Sequence, residues 1–142
     1  MIEAIIGRQF ADKVIPLINE AKKSIDIIVF DWRWYANDAG SSVQLFNQSI
    51  VRAVRRGVSV RAIVNNSSIL TTLNTLGCSA RKLVTKNLVH AKMMILDEEK
   101  IVIGSHNYTQ HAFTMNYELS VILSETDNVV DFANFFNQLW LS

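Results

Sequence analysis

His90 and Lys92 stand two residues apart, and Ser105 and Asn107 follow, so that a nucleophile, a fixed cation and two polar phosphate-ligand candidates fall within eighteen positions. On a β-strand, side chains two apart emerge on the same face about 6.6 Å from each other, a separation that brackets one phosphate group. The apolar run Met93 to Leu96 reads as a buried strand that carries this pair. An unpaired buried Lys costs several kcal/mol, so a ligand or a partner charge is implied. Gly104 reads as a tight turn that lets Ser105 and Asn107 point back at the same spot. Taken singly, a histidine in an apolar strand is a satisfied core residue and a lysine at a strand end snorkels to water. The four together have no structural purpose and point to phosphate chemistry.

The run His90-x-Lys92-x4-Asp97-x6-Gly104-Ser105-x-Asn107 resembles the signature of the phospholipase D superfamily at every fixed position. The resemblance extends to Asn116-Tyr117-Glu118, where members carry an acidic residue on the next strand. It extends also to Ile25–Phe30, Arg55-Arg56-Gly57 and Val58–Val64, which look like the first half of the short, single-motif endonucleases of that superfamily. It implies catalytic roles for His90, Lys92, Asn107 and Glu118, with Lys92, Ser105 and Asn107 holding substrate. Neutral His90 would attack phosphorus to give a phosphohistidine, and His90 of a second copy would protonate the leaving oxygen and then activate water. Lys92, Asn107 and Ser105 would stabilise the non-bridging oxygens, so no metal and no cofactor is expected. Glu118 is expected to orient His90 as the third member of a triad does. Asp97, five residues beyond Lys92 and on the opposite face, is expected to be structural and to fix a hairpin turn. No second His-x-Lys occurs in the chain, so the resemblance implies a homodimer with a shared site.

The elements that must position these groups alternate along the chain. Phe10, Val14, Leu17, Ile18 and Ala21 mark a helix over 10–22, with Pro16 at its first turn or at a kink. Residues 24–30 and 58–64 read as strands. Between them Ser42 caps a helix that buries Val43, Phe46, Ile50 and Val54 and stops at Gly57. A turn over 65–68 leads to a short helix over 69–76 that is closed by Gly77. The polar stretch Asp97-Glu98-Glu99-Lys100 separates two apolar runs and predicts a hairpin. A strand over 118–123 precedes a last helix with Val129, Phe132, Phe136, Leu139 and Trp140 on one face, capped by Ser124 or Thr126. The pattern is α/β: a single domain over 1–142, with a mixed, mostly β-sheet core flanked by helices on both faces, which the resemblance identifies as a phospholipase D-like half paired as a homodimer.

The net charge is only +1, but no Asp or Glu occurs from Ala39 to Leu96, where Arg52, Arg55, Arg56, Arg61, Arg81, Lys82, Lys86 and Lys92 all fall. Folded beside the motif, that stretch would suit a nucleic-acid backbone; the plain alternative is solvation of a helix face. Trp32-Arg33-Trp34-Tyr35 closes an apolar strand, where it would stack on exposed bases or pack in the core or a dimer interface. The single cysteine, Cys78, reads as a small core residue. His90, His106 and His111 lack a convincing fourth ligand for zinc. No segment approaches the ~20 apolar residues of a membrane span. A cytoplasmic protein is expected, or a mature form that has lost an export leader. The reading is a metal-independent endonuclease acting on DNA or RNA through a homodimer. A lipid phosphodiesterase with the same machinery and a non-catalytic nucleic-acid-binding module stand as alternatives.

Overall fold

The computed structural model describes residues 1–125 and 127–142. Its strands are β1 (Ile2–Ile6), β2 (Ser24–Ile28), β3 (Ser59–Val64), β4 (Ser79–Lys82), β5 (Met93–Leu96), β6 (Lys100–Gly104) and β7 (Leu119–Leu123). They form one seven-stranded sheet in the order β1-β7-β6-β5-β2-β3-β4. β2, β3 and β4 run parallel, and the other neighbours pair antiparallel. The helices are α1 (Phe10–Glu20), α2 (Ser42–Arg55), α3 (Ser67–Leu76), α4 (Gln110–Thr114) and α5 (Val129–Trp140).

Helices on both faces explain why the central strands are apolar on both sides. Ile25, Ile27 and Val29 join Met94, Leu96 and Val102 under α1 to α4. Ile28, Ile63, Met93, Ile95 and Ile101 pack on the other face against Phe136 of α5. That second face also buries a charge pair. Asp26 and Arg61 are cross-strand partners, and Arg61 donates Nε to Oδ1 at 2.8 Å and Nη2 to Oδ2 at 2.9 Å. The guanidinium also lies 4.8 Å from the Phe136 ring centroid and donates to Asn137 Oδ1. Cys78 is a core residue, its thiol pushed up to about 11 by burial.

Several boundaries differ from the sequence reading. The cap of α2 is Ser41, whose Oγ accepts from Gln44 N at 3.2 Å; Ser42 is already helical. Asn66 caps α3, which starts at Ser67. Pro16 sits in the interior of α1, beyond the first turn. α5 begins after Asn128, too far along for Ser124 to cap it, and Thr126 lies outside the described residues. β1, β4 and α4 were not anticipated from the sequence.

The hairpin after β5 is present. Asp97 and Glu98 both have positive φ, 54° and 56°, as a type I′ turn requires at its central positions. Asp97 does more than turn the chain: its carboxylate accepts from the backbone N–H groups of Lys22, Lys23 and Ser24 at 2.7–3.1 Å. It therefore ties the hairpin to the α1–β2 junction. Burial alone would raise its pKa, but the three backbone donors outweigh that and hold it below the ordinary carboxylate value. Because the folded pKa is depressed, the stabilisation is complete above the unfolded value and is lost as pH falls through the folded one. Asp97→Asn, which tolerates the positive φ, is expected to cost about 1 kcal/mol at neutral pH. Urea unfolding at pH 7 and at lower pH should show that gap closing below about pH 4. Equal stability at pH 7 would show that these bonds contribute nothing net.

Candidate active site

The sheet register brings four chain segments to one end of the sheet. β2 leaves the sheet at Ile28, paired with Met93, and continues as Phe30-Asp31. His90 to Lys92 approach β5 from the same end. β6 ends there at Gly104, and β7 starts there after Glu118. Backbone bonds close the seams: Gly104 N to Lys92 O at 3.3 Å, Ser105 N to Leu119 O at 3.1 Å, and Tyr108 N to Asp31 O at 3.0 Å.

His90 and Lys92 are not on a buried strand, as the sequence reading had them. The paired strand starts at Met93, because β2 offers no partner past Ile28. The alternation of side chains nevertheless persists: Ala91 faces the α5 side with Met93, and Lys92 faces the side of Phe10 and Tyr108. His90 is exposed. Lys92 Nζ lies 3.0 Å from Nδ1 and 3.2 Å from Nε2 of the imidazole, and it donates to the His90 carbonyl at 2.9 Å. The Phe30 ring backs both groups, 4.9 Å from the imidazole centroid and 5.8 Å from Nζ. Partial burial lowers the pKa of Lys92, while the Glu118 carboxylate pulls the other way.

Ser105 and Asn107 project from the loop after β6. Ser105 Oγ donates to Glu118 Oε1 at 2.6 Å and accepts from Leu119 N at 3.0 Å. Asn116 Nδ2 donates to the other carboxylate oxygen at 3.0 Å. Asn107 Oδ1 accepts from Asp31 N at 3.1 Å, which leaves its amide donors for a ligand. Within one chain, then, the described residues pair His90 with Lys92 and Glu118 with Ser105. The expected bond from Glu118 to His90 is replaced by the one to Ser105, because β7 meets the loop after β6 before it could reach the imidazole. Gly104 is not a turn residue. It ends β6, where a Cβ would lie 2.4 Å from Ser120 Cα.

Two supports were not foreseen. Phe30 and Asp31 back the site from the carboxyl end of β2, the place where ligands bind in α/β sheets. The sequence reading looked just beyond, to Trp32, whose ring is buried with Nε1 donating to Asn47 Oδ1 at 2.7 Å. The second support is His106. Its Nε2 faces the Gly7 carbonyl at 2.8 Å and must carry the proton, so Nδ1 accepts from Ser120 Oγ at 2.7 Å. Burial lowers its pKa, in keeping with a neutral latch between the motif loop and the end of β1. Among the described residues no three His, Cys, Asp or Glu side chains converge to hold a metal ion.

The basic tract does not gather here. α2 runs away from the site, so Arg52 and Arg56 lie at the opposite end of the sheet, donating to Asn19 Oδ1 and to the carbonyls of Ile18 and Ala21. Arg61 is consumed by Asp26, and Arg81 lies 5.6 Å from the Trp140 ring centroid. Among the tract's lysines, Lys92 stands in the site itself and Lys82 closes β4 at the same end of the sheet. No helix among the described residues is long and apolar enough to cross a membrane.

Comparison with known proteins follows the same lines. A mitochondrial cardiolipin hydrolase of Chlamydomonas reinhardtii is 28% identical over 134 residues, which cover 90% of this chain and 56% of the relative. The 5'-3' exonuclease PLD3 of Xenopus laevis is 27% identical over 142 residues, covering 88% of this chain and 29% of the relative. This chain thus spans about half or less of the length of these curated relatives. The crystal structure of a phospholipase D family member, Nuc from Salmonella typhimurium, superposes with a TM-score of 0.81 at 20% identity, covering 99% of this chain and 95% of that one, and so shares its fold. The family model described as cardiolipin synthase, PLD-like domain, matches residues 14–140, and the chain belongs to that phospholipase D-like family.

Proposed function

We propose that this chain is a metal-independent phosphodiesterase that cleaves nucleic acid, most simply as an endonuclease, with an active site completed by a second copy of the chain. The observation that carries this reading is the Lys92 ammonium within hydrogen-bond reach of the exposed His90 imidazole, at the sheet end where Ser105 and Asn107 converge. His90 attacks phosphorus, a P–N bond forms, and the P–O bond to the leaving group breaks as His90 of the second copy gives that oxygen its proton. Water, deprotonated by the same second histidine, then displaces the phosphate from His90. Covalent catalysis divides one hard displacement into two. Lys92 and the amide donors of Asn107 hold the non-bridging oxygens, while Ser105, expected from the sequence to do the same, spends its single O–H on Glu118 and braces the loop. Glu118 acts as a positioning residue by holding the Ser105 hydroxyl.

A nucleic-acid substrate is supported by the exonuclease named among the relatives and by Lys82 at the same end of the sheet as Lys92. A lipid phosphodiesterase is the second reading, favoured by the relative named as a cardiolipin hydrolase. The need for a second copy rests on chemistry and on surface. One motif supplies one histidine, while the reaction needs a nucleophile and an acid. Beside the site, Ile6 and its cross-strand partner Leu119 are 60% and 63% exposed, with Met115 and Tyr117 alongside them. Covering such a patch is what an isologous interface of ~1,600 Å² would do.

Three outcomes are expected. Cleavage of plasmid, single-stranded DNA or RNA should persist in excess EDTA, and His90→Asn should lower turnover at least a thousandfold while leaving the fold intact by circular dichroism. Loss of activity in EDTA with recovery in magnesium would overturn the histidine-nucleophile mechanism. Turnover of phosphatidyl substrates with none on DNA or RNA would move the assignment to the lipid reading. In mixing experiments, heterodimers of wild type and His90→Asn should be almost inactive. Half of the wild-type activity per heterodimer would instead indicate that each chain works alone.

A further inference from the structure

Next to the catalytic groups lies a cavity of about 410 Å³ lined by Asp31, Arg33, Tyr35, Thr109, Gln110 and His111. Nothing in the proposed reaction uses it. It is joined to the site through two hydrogen-bond steps: Asn107 Oδ1 accepts from the Asp31 N–H, and the Asp31 carboxylate holds Arg33 through Nε at 2.7 Å. The segment is clamped in an extended form by Arg33 N to Tyr108 O at 3.0 Å and by Trp32, whose side chain is buried on the opposite face. Asp31 and Arg33 therefore share a face about 6.6 Å apart along the chain.

Resting on the phosphodiesterase reading above, we infer that this cavity seats the nucleotide next to the scissile phosphate, with Arg33 binding the neighbouring phosphate. Three observations support the assignment. Arg33 is exposed toward solvent, and the bonds to Asp31 use only part of its five N–H groups. Asp31 fixes the guanidinium before substrate arrives, so little freedom is lost on binding. Asp31 bridges the two sites, its N–H bound by Asn107 Oδ1 and its carboxylate by Arg33 Nε, so the guanidinium lies beside the amide that the proposed reaction uses. Tyr35 is held by its hydroxyl, which accepts from Gln110 N at 3.0 Å, and it forms a firm wall. His111, exposed at the start of α4, adds a second donor at the rim.

The test compares kcat/KM for a tetranucleotide with that for bis-p-nitrophenyl phosphate, which has no neighbouring phosphate. Arg33→Ala is expected to lower the ratio of the two about tenfold, through KM more than kcat. Arg33→Lys, which keeps the charge and loses the fork, should restore part of it. The salt slope of tetranucleotide binding, measured on His90→Asn, should fall by about 0.7 when Arg33→Ala is added. Arg55→Ala, at the far end of the sheet, should change neither quantity. An unchanged ratio and slope in Arg33→Ala would overturn the inference while leaving the phosphodiesterase reading intact. A wild type that hydrolyses neither diester overturns both. If Arg33→Ala instead impairs turnover of phosphatidylglycerol vesicles and spares the tetranucleotide, the cavity seats a lipid headgroup and the inference is wrong.

Discussion

The contact between Gly104 and Ser120 governs the geometry of the motif loop. Any side chain at 104 would run into the backbone of β7, since a Cβ there meets Ser120 Cα and Oγ at 2.4 Å and the Leu119 carbonyl at 2.5 Å. The close approach lets two pairs of groups meet across the same seam. On the buried side, Ser120 Oγ reaches His106; on the exposed side, Ser105 Oγ reaches Glu118. His106 then anchors the loop to Gly7, and Tyr108 anchors it to Asp31. Ser105 and Asn107 are thus aimed by a loop whose other residues are committed to backbone and core. A glycine at this point serves packing, and the turn chemistry belongs to Asp97 at the other end of the hairpin.

Charge is sorted along the strands in a way that composition hides. Most cations of the acid-free stretch have separate tasks: Arg52 and Arg56 hold the carboxyl end of α1, Arg61 neutralises buried Asp26, Arg81 lies over Trp140, and Lys92 lines the site. The Arg61–Asp26 pair holds its geometry through two parallel hydrogen bonds to a buried carboxylate, Arg61 also resting on Phe136. Such a cation is unavailable to a polyanion. What stands at the site end is a small set, Lys82 and Lys92 of that stretch and Arg33 ahead of it, of which Lys92 and Arg33 are held in place by protein groups. A substrate met by few, fixed cations is positioned more than it is attracted, since steering at a distance depends on net field and positioning on local geometry.

The long, strongly patterned elements were legible in the sequence: α1, α2, the doubly buried strands β2 and β3, the hairpin and α5. The pairing of His90 with Lys92 was legible as well, because residues two apart in extended backbone share a face even ahead of the paired strand. What escaped had physical reasons. β1 and β4 are edge strands with little buried surface, β1 burying Ile5 alone and β4 none of its residues fully, so their sequences carry no inside–outside alternation. Ser41 and Ser42 are chemically equivalent, and the choice between them rests on one backbone angle, ψ of 150° at Ser41. The Ser105–Glu118 bond depends on the β6–β7 register, which no local pattern encodes. The basic tract misled because charge was counted along the chain, whereas a helix carries its two ends about 20 Å apart.

The exposure of His90 limits what a single chain can do. An ammonium and an amide stabilise developing negative charge strongly only where water is excluded, since the same interaction shrinks severalfold between protein-like and aqueous dielectric. His90 stands open to solvent, and Lys92 is only partly covered. Three of the four apolar residues beside it, Ile6, Leu119 and Tyr117, flank the β1–β7 seam that leads directly to Glu118. A surface laid across that seam would desolvate Lys92 and Asn107 at the moment it delivered a second imidazole. Acid supply and exclusion of water are then one event, and a covering surface that lacked the histidine would provide only the second.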